Sequence, residues 1–520
     1  VIAALLLVAV LAAPARPAGA GPADEVRVAT ERLELAVALA GARPVSWRAC
    51  RPSCVRADAG AGTAVRFVAP GDGSKVRLVF DGHSGPVHLD QLRFVAEPSD
   101  DARTRGVTLR ADLPVDGVRV EQSFALSRDG YETTLTVRLV GPGASGYGAR
   151  IAPRLELVPG RDLGPEPAAG FGSLLEGVGR VMVAAGAARA VPTASDMPRI
   201  RAGEWAGVRG RFWAMLTRPD DHDTVIGSAE DHPGLWLVAH AMEPPPAPRT
   251  EWRYTIYAGP IERSALRATD PALGPLLLSG LWWPLRALAL GLLALLKALT
   301  AGLGHPGVAI IALAVSVKLL LWPLAHVADR LQEQVNATKA RLQPGLEAIN
   351  AAHRGEERTR RTLALYREHG VHPLYALKSL AGFLIQIPVF IAVFDMLAED
   401  IDLYRAPFLW IRDLAHPDAL AALPACVPFF GCDLNLLPFL MSGVSLATTL
   451  RFRSPVLAPA LMRTQRRNLA GMAALFFLLF YTFPAGMVLY WTSTNAVQLV
   501  SQEIGRRWRG RGGLTAERAA

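Results

Sequence analysis

Lys318 stands in AVSVKLLLWPL (314–324), inside an apolar run long enough to cross a bilayer. An ammonium at the bilayer centre costs on the order of 3 kcal/mol on insertion scales. A lysine here therefore needs either a route out or a wet place to sit. Its stem can carry the charge about one turn, to the interface marked by Trp322, or neighbouring helices can supply polar company. On the residues alone both readings stand.

Other apolar segments carry polar residues at helical spacing. In 434–450, Ser442, Ser445 and Thr449 recur at i, i+3, i+7; in 485–502, Trp491, Asn495, Gln498 and Gln502 recur at i, i+4, i+7, i+11. Gln386 sits mid-segment in 380–397, beside Pro388. Serine and threonine in such stripes are commonly glue between helices. An asparagine, glutamines and a lysine together point further, to several helices facing one hydrated cavity. What these groups offer is hydrogen bonding and charge. Within the apolar segments the acid–base groups are Asp395 near one end and His326 at the opposite edge, which is no convergent catalytic set.

Elsewhere chemistry is sparse. DGHSGPVHLD (81–90) offers Asp81, His83, His88 and Asp90. In a strand the two histidines point to opposite faces, and Gly85-Pro86 breaks the run, so a turn with solvated side chains is expected ahead of a metal site. Gly-x-Ser-x-Gly and phosphate-loop patterns are absent. This part of the chain reads as a scaffold or binding module.

Positioning the polar stripes takes a bundle of apolar helices. The 520-residue chain has 51% hydrophobic residues, net charge +9 and mean hydropathy +0.24, too apolar for an ordinary soluble enzyme. Residues 24–275 are mixed and rich in Gly and Pro; after Pro275 long Leu/Ala/Phe runs begin. Candidate spans are 306–326, 380–397, 434–450, 469–484 and 485–502, each near the roughly 17–25 residues a crossing helix needs. Segments 327–378, 451–468 and the tail are rich in arginine, whereas 399–433 sets six acids against Arg405 and Arg412. The basic segments are therefore assigned to the cytoplasm.

The apolar run 276–302 is a sixth candidate, but if it crossed, the arginines of 327–378 would lie outside. Arg286 and Lys297, eleven residues apart, share one helix face, and a helix lying in the outer interface fits both facts. Residues 327–378 read as a solvated hairpin: a helix from about Ala328 to Asn350, a turn at His353-Arg354-Gly355, and a second helix to about His369. Residues 1–23 are signal-like or an anchor, and in either role they direct export of the domain that begins at residue 24.

In the exported part, 75–80, 117–127 and 131–141 alternate apolar and polar residues and are rich in Val and Thr. That pattern predicts antiparallel sheet, with a β-sandwich as the default. The cysteines fall as Cys50/Cys54 there and Cys426/Cys432 in the acidic segment, and two local disulfides or four buried thiols fit the spacing equally.

Several stretches in order, KLLLWPLAH, LYREHGVHPL, FLIQIPVFIAVFDML, APFLWIRDL and FPAGMVLYWTSTNAVQLVSQ, resemble the YidC/Oxa family of membrane protein insertases, in its Gram-negative form with a large periplasmic domain. VEQSFALSRDGYETTLTV matches more loosely. The resemblance implies a polytopic α-helical membrane protein of the bacterial inner membrane with an N-terminal all-β (β-supersandwich) periplasmic domain at 24–275. It also implies an interfacial amphipathic helix at 276–303, a five-helix insertase domain at 304–504 including the cytoplasmic hairpin 327–378, and a basic cytoplasmic tail at 505–520.

The implied substrate groove opens to cytoplasm and lipid around one cation. Lys318 stands where the family usually has arginine, and Gln386, Ser442, Ser445, Tyr490, Trp491 and Asn495 complete the groove. Lysine keeps the charge but gives up the planar fork. HPLYALKSLAGF replaces the family's Asn-Pro-x-Gly-Gly-Cys-x-Pro entry, and Ala314 stands where a groove threonine is common; these departures bear on substrate range more than on fold. The implied activity is non-enzymatic and needs no cofactor or metal. Its partners are nascent membrane proteins and the lipid bilayer, with a ribosome and a Sec translocon implied by the resemblance alone, and no specific nucleic acid is expected. The competing reading, a polytopic transporter with an exported ligand-binding domain, calls for an internal repeat with broken helices at matching positions, and the sequence shows none.

Overall fold

The computed structural model describes residues 24–517 apart from 83–84, 115–116, 149–150, 161–162, 164–169, 172–176, 192–197, 222, 229–233, 240–248 and 452–458. The signal-like segment, His83 and part of the basic segment 451–468 lie outside the described residues. The chain divides into two units, Val1–Asp162 with Pro192–Val208 and Met215–Gly259, and Leu163–Val191 with Arg209–Ala214 and Pro260–Ala520.

In the first unit, alternation makes sheet. Arg119–Ser127 and Glu132–Val140 bury every second residue and pair antiparallel, with Phe124 opposite Leu135. Val120, Phe124, Leu126, Leu135, Val137 and Leu139 face inward. On one side Arg119–Ser127 is followed by Thr104–Asp112 and Val95–Asp100; on the other Glu132–Val140 pairs with Glu251–Pro260. A second sheet runs in the order Arg199–Ile200, Thr224–Ser228, Leu235–Ala239, Ile151–Val158, Lys75–Gly82, Gly85–His88. Buried Phe80 of the second sheet meets buried Trp252 of the first with ring centroids 6.4 Å apart.

A four-stranded meander from Glu25–Ala29 to Thr63–Val68 carries the one-turn helix α1 (Cys54–Asp58). Cys50 and Cys54 are joined by a disulfide, and the Tyr131 hydroxyl donates to the Cys50 carbonyl at 3.0 Å. A second short helix, α2, covers Ala144–Gly148. In the 81–90 stretch the turn residues 83–84 lie outside the described residues, and the flanking segments are paired strands. Lys75–Gly82 and Gly85–His88 form a hairpin, and Asp81 is tied to Arg154 at 3.2 Å because the sheet brings a cation beside it.

The second unit is mainly helical: α3 (Arg263–Thr269), α4 (Trp283–Leu303), α5 (Pro306–Ala352), α6 (Gly355–Glu368), α7 (Ala381–Glu399), α8 (Leu437–Arg451), α9 (Pro459–Phe480) and α10 (Ala485–Glu517). Gly304, at φ +74°, supplies the left-handed residue that ends α4. His305 then caps α5, its Nδ1 accepting from the Gly307 amide at 3.1 Å.

Three boundaries differ from the pattern reading. The span at 306–326 and the first hairpin helix are one rod of 47 residues, about 70 Å at 1.5 Å per residue, more than twice the roughly 30 Å of hydrocarbon. It passes through Pro323, a tolerated residue where a membrane helix has neighbours to re-satisfy the freed carbonyl. Helix α9 starts ten residues before 469 and takes Arg463, Arg466 and Arg467 into its first turns. Helix α10 continues beyond 504 to Glu517.

Helix α10 packs against α5, α8 and α7; α9 packs on α8; α4 packs on α5 and α7. Among the described residues, α4 and α5 are long and apolar enough to cross a membrane by length and composition, with mean hydropathy 1.6 and 2.3. Between α7 and α8 a short hairpin, Ala421–Val427 with Gly431–Leu434, holds a Cys426–Cys432 disulfide.

Candidate functional site

Helix α10 presents two amides one turn apart to two different neighbours. Gln498 Oε1 accepts a hydrogen bond from Lys318 Nζ of α5 at 3.0 Å. Asn495 Nδ2 donates to Ser445 Oγ of α8 at 2.8 Å. Ser445 in turn donates to the Met441 carbonyl, and Thr449 to the Ser445 carbonyl, each at 2.9 Å, so these two hydroxyls donate within their own helix and the Ser445 oxygen stays free to accept. All four bridging residues are half-buried. Lys318 thus sits beside a neutral amide while Leu319, Leu320 and Trp322 on the same helix are largely exposed, a surface suited to lipid.

The remaining expected groove residues sit differently. Ser442 is half-buried one turn before Ser445, and its oxygen has no hydrogen-bond partner among the described residues. Gln386 is half-buried on α7. Tyr490 is almost wholly buried. Trp491 packs its ring against Phe390, Phe394, Phe476 and Phe480, with centroids 5.2–6.4 Å apart. That places Trp491 in an aromatic cluster joining α7, α9 and α10 rather than in the Lys318 network. Gln498 was visible in the sequence as part of a stripe, three residues after Asn495, yet it is the direct partner of Lys318.

A second polar cluster gathers at the C-terminal end of α7. Glu399 accepts from the Leu278 amide at 2.7 Å and from Arg209 Nη2 at 2.9 Å. Lys297 Nζ donates to Asp402 at 2.7 Å and lies 3.7 Å from Asp400. Arg286 donates to the carbonyls of Leu277 and Gly274 at 3.0 and 2.6 Å. Buried Arg211 donates to the carbonyls of Ala398 and Ala415 at 2.6 and 2.8 Å. Both basic residues of α4 therefore serve the same short region, residues 399–402 and the turn at 277–278 held against it. Sequence pattern missed Arg209 and Arg211, which lie far along the chain from their partners.

A lysine, amides and hydroxyls held together among leucine-faced helices define a membrane protein with a polar site between its apolar helices. Residues 298–510 match the family described as 60Kd inner membrane protein, the YidC/Oxa family. A membrane protein insertase YidC of Leptospira interrogans is 34% identical over 209 residues, 39% of this chain and 30% of that protein. The YidC of Azotobacter vinelandii is 28% identical over 314 residues, 59% of this chain and 50% of that protein. The chain thus spans about half, or less, of the length of these relatives. Among solved structures, a crystal structure of an active YidC insertase with its first transmembrane domain resolved aligns over 92% of each chain at 16% identity, with a TM-score of 0.35.

Proposed function

We propose that the chain is a membrane protein insertase of the bacterial inner membrane that works without catalytic chemistry or cofactor. The observation that carries the reading is the pair of adjacent hydrogen bonds on α10, Lys318–Gln498 and Asn495–Ser445. A hydrophilic tail of a nascent membrane protein enters from the cytoplasm. Lys318 attracts it if it is acidic, and Ser445, Asn495, Gln386 and Ser442 replace part of its lost water. The apolar segment leaves along the leucine- and phenylalanine-rich faces of α7 and α9, and its transfer into hydrocarbon drives the process. The membrane potential adds to the drive on an acidic tail.

In this reading the first unit is a periplasmic β-supersandwich, the hairpin of α5 and α6 receives the substrate in the cytoplasm, and the C-terminal tail is cytoplasmic. A ribosome or a Sec translocon delivers the substrate. Helix α4 lies in the outer interface. The polar contacts around residues 399–402 support this: Lys297 binds Asp402, while Arg286, about 16 Å away along the helix axis, binds the Leu277 carbonyl of the turn whose next amide, Leu278, binds Glu399.

The test is insertion of a single-span substrate with an acidic tail into liposomes holding the purified protein. Lys318→Ala is expected to lower insertion about tenfold, the scale of one lost hydrogen bond to a charged group, and Lys318→Arg to preserve it. Equal insertion by Lys318→Ala removes the cation from the mechanism. Absence of insertion by the folded wild type removes the insertase.

A further inference from the structure

Beside the N-terminal half of α4 lies a cavity of about 270 Å³ lined by Arg263 and Arg267 of α3, Arg286 of α4, and Leu266, Leu277 and Leu290. The size is close to the lower end of small-ligand sites, roughly 300–1,000 Å³. Three guanidinium groups border it, and no carboxylate does among the described residues. Arg286 is fixed by its bonds to the Leu277 and Gly274 carbonyls. Arg263 and Arg267, one turn apart on α3, are exposed at its rim. Such a set suits a phosphate, which arginine grips by its planar fork.

The surroundings select the source of the phosphate. Trp282 and Trp283, side by side at the start of α4, are 65% and 79% exposed, and tryptophans of this kind sit at the headgroup level of a bilayer. The leucines of the lining offer apolar wall next to the cations, which a free phosphate does not use and a glycerophospholipid does. We infer that this cavity binds the headgroup phosphate of an anionic phospholipid of the outer leaflet, with the glycerol and first methylenes against Leu266, Leu277 and Leu290. The inference rests on the reading of α4 as an interfacial helix, and it adds a specific lipid contact at the place where that helix meets the cluster at the end of α7.

The experiment is native mass spectrometry of the full chain released from nanodiscs of phosphatidylglycerol and phosphatidylcholine, read beside insertion activity in liposomes of the same lipids. The test variant is Arg263→Gln with Arg267→Gln, two exposed positions outside the proposed groove. The wild type is expected to retain phosphatidylglycerol in preference, and the double variant to lose about 25-fold of that preference, from about fivefold for each of the two basic residues near a lipid surface. Undiminished preference in the folded double variant overturns the site. Displacement of bound phosphatidylglycerol by millimolar inorganic phosphate overturns the lipid assignment in favour of a free-phosphate site. Because lipid retention is read apart from insertion, loss of the preference with insertion intact supports the site, while a wild type that retains the lipid and inserts nothing refutes the insertase alone.

Discussion

Lys318 is received by an amide and not by a carboxylate, and that choice decides what it can do. A carboxylate at the same distance would cancel the charge; Gln498 satisfies one ammonium proton and, in the proposed mechanism, leaves the field of the cation available to a passing acidic tail. Gln498→Glu is therefore expected to lower insertion of an acidic-tailed substrate about tenfold in folded protein, by competing for the lysine. Retained insertion would mean that Lys318 acts elsewhere. Gln498→Leu is expected to destabilise the helical unit by about 1–3 kcal/mol, the cost of leaving a buried polar group without its partner, measured by unfolding in mixed micelles. Lys318 was legible in the sequence because its type violates its surroundings. Gln498 was legible only as periodicity, since a stripe names a face and not a partner. Arg211 was not legible, because its acceptors are backbone carbonyls 187 and 204 residues away and any residue carries a carbonyl.

At the scale of elements, hydrophobic periodicity located the helices well and their ends less well. The pattern separated a span from a hairpin helix at the junction near His326, where composition turns polar; the backbone continues because Pro323 is absorbed within a long rod. A change of solvent is not a change of helix. Helix α4 offers a sharp test. Nitroxides at Leu288 and Leu303, about 22 Å apart along the axis, are expected to report equal depth near the headgroups by power saturation. Depths differing by most of that span would mean that α4 crosses the bilayer.

In α6, the hydrogen bond from Arg361 to Glu357, followed by that from Arg360, holds the Glu357 carboxyl below the usual carboxylate range. A folded pKa below the unfolded one stabilises the helix above the unfolded value, and the gain is lost as pH falls through the folded value. Carbon-detected NMR titration is expected to show Glu357 titrating below the usual carboxylate range, and Arg361→Ala to raise it. An unchanged titration in that variant would sever the link.

For the whole molecule, the alternation of basic and acidic segments gives an orientation that the bundle's contacts alone cannot. Single cysteines at Thr359 and Ala422, both exposed, test it with an impermeant thiol reagent. Thr359→Cys is expected to label only in inverted vesicles and Ala422→Cys only in right-side-out ones; the reverse pattern would invert the orientation. The division into a β-rich unit and a helical unit was legible because strand alternation and long apolar runs are local signals. Contacts such as Arg209–Glu399 were not, because they depend on how distant segments come together.

The most direct measurement is photocrosslinking from two positions during insertion of an acidic-tailed, single-span substrate: Ser445 beside the Lys318 network, and Leu475 on the exposed face of α9. The account predicts that a crosslinker at Ser445 captures the polar tail and one at Leu475 captures the apolar segment. Capture of the tail at Leu475, with none at Ser445 in an actively inserting preparation, would contradict it.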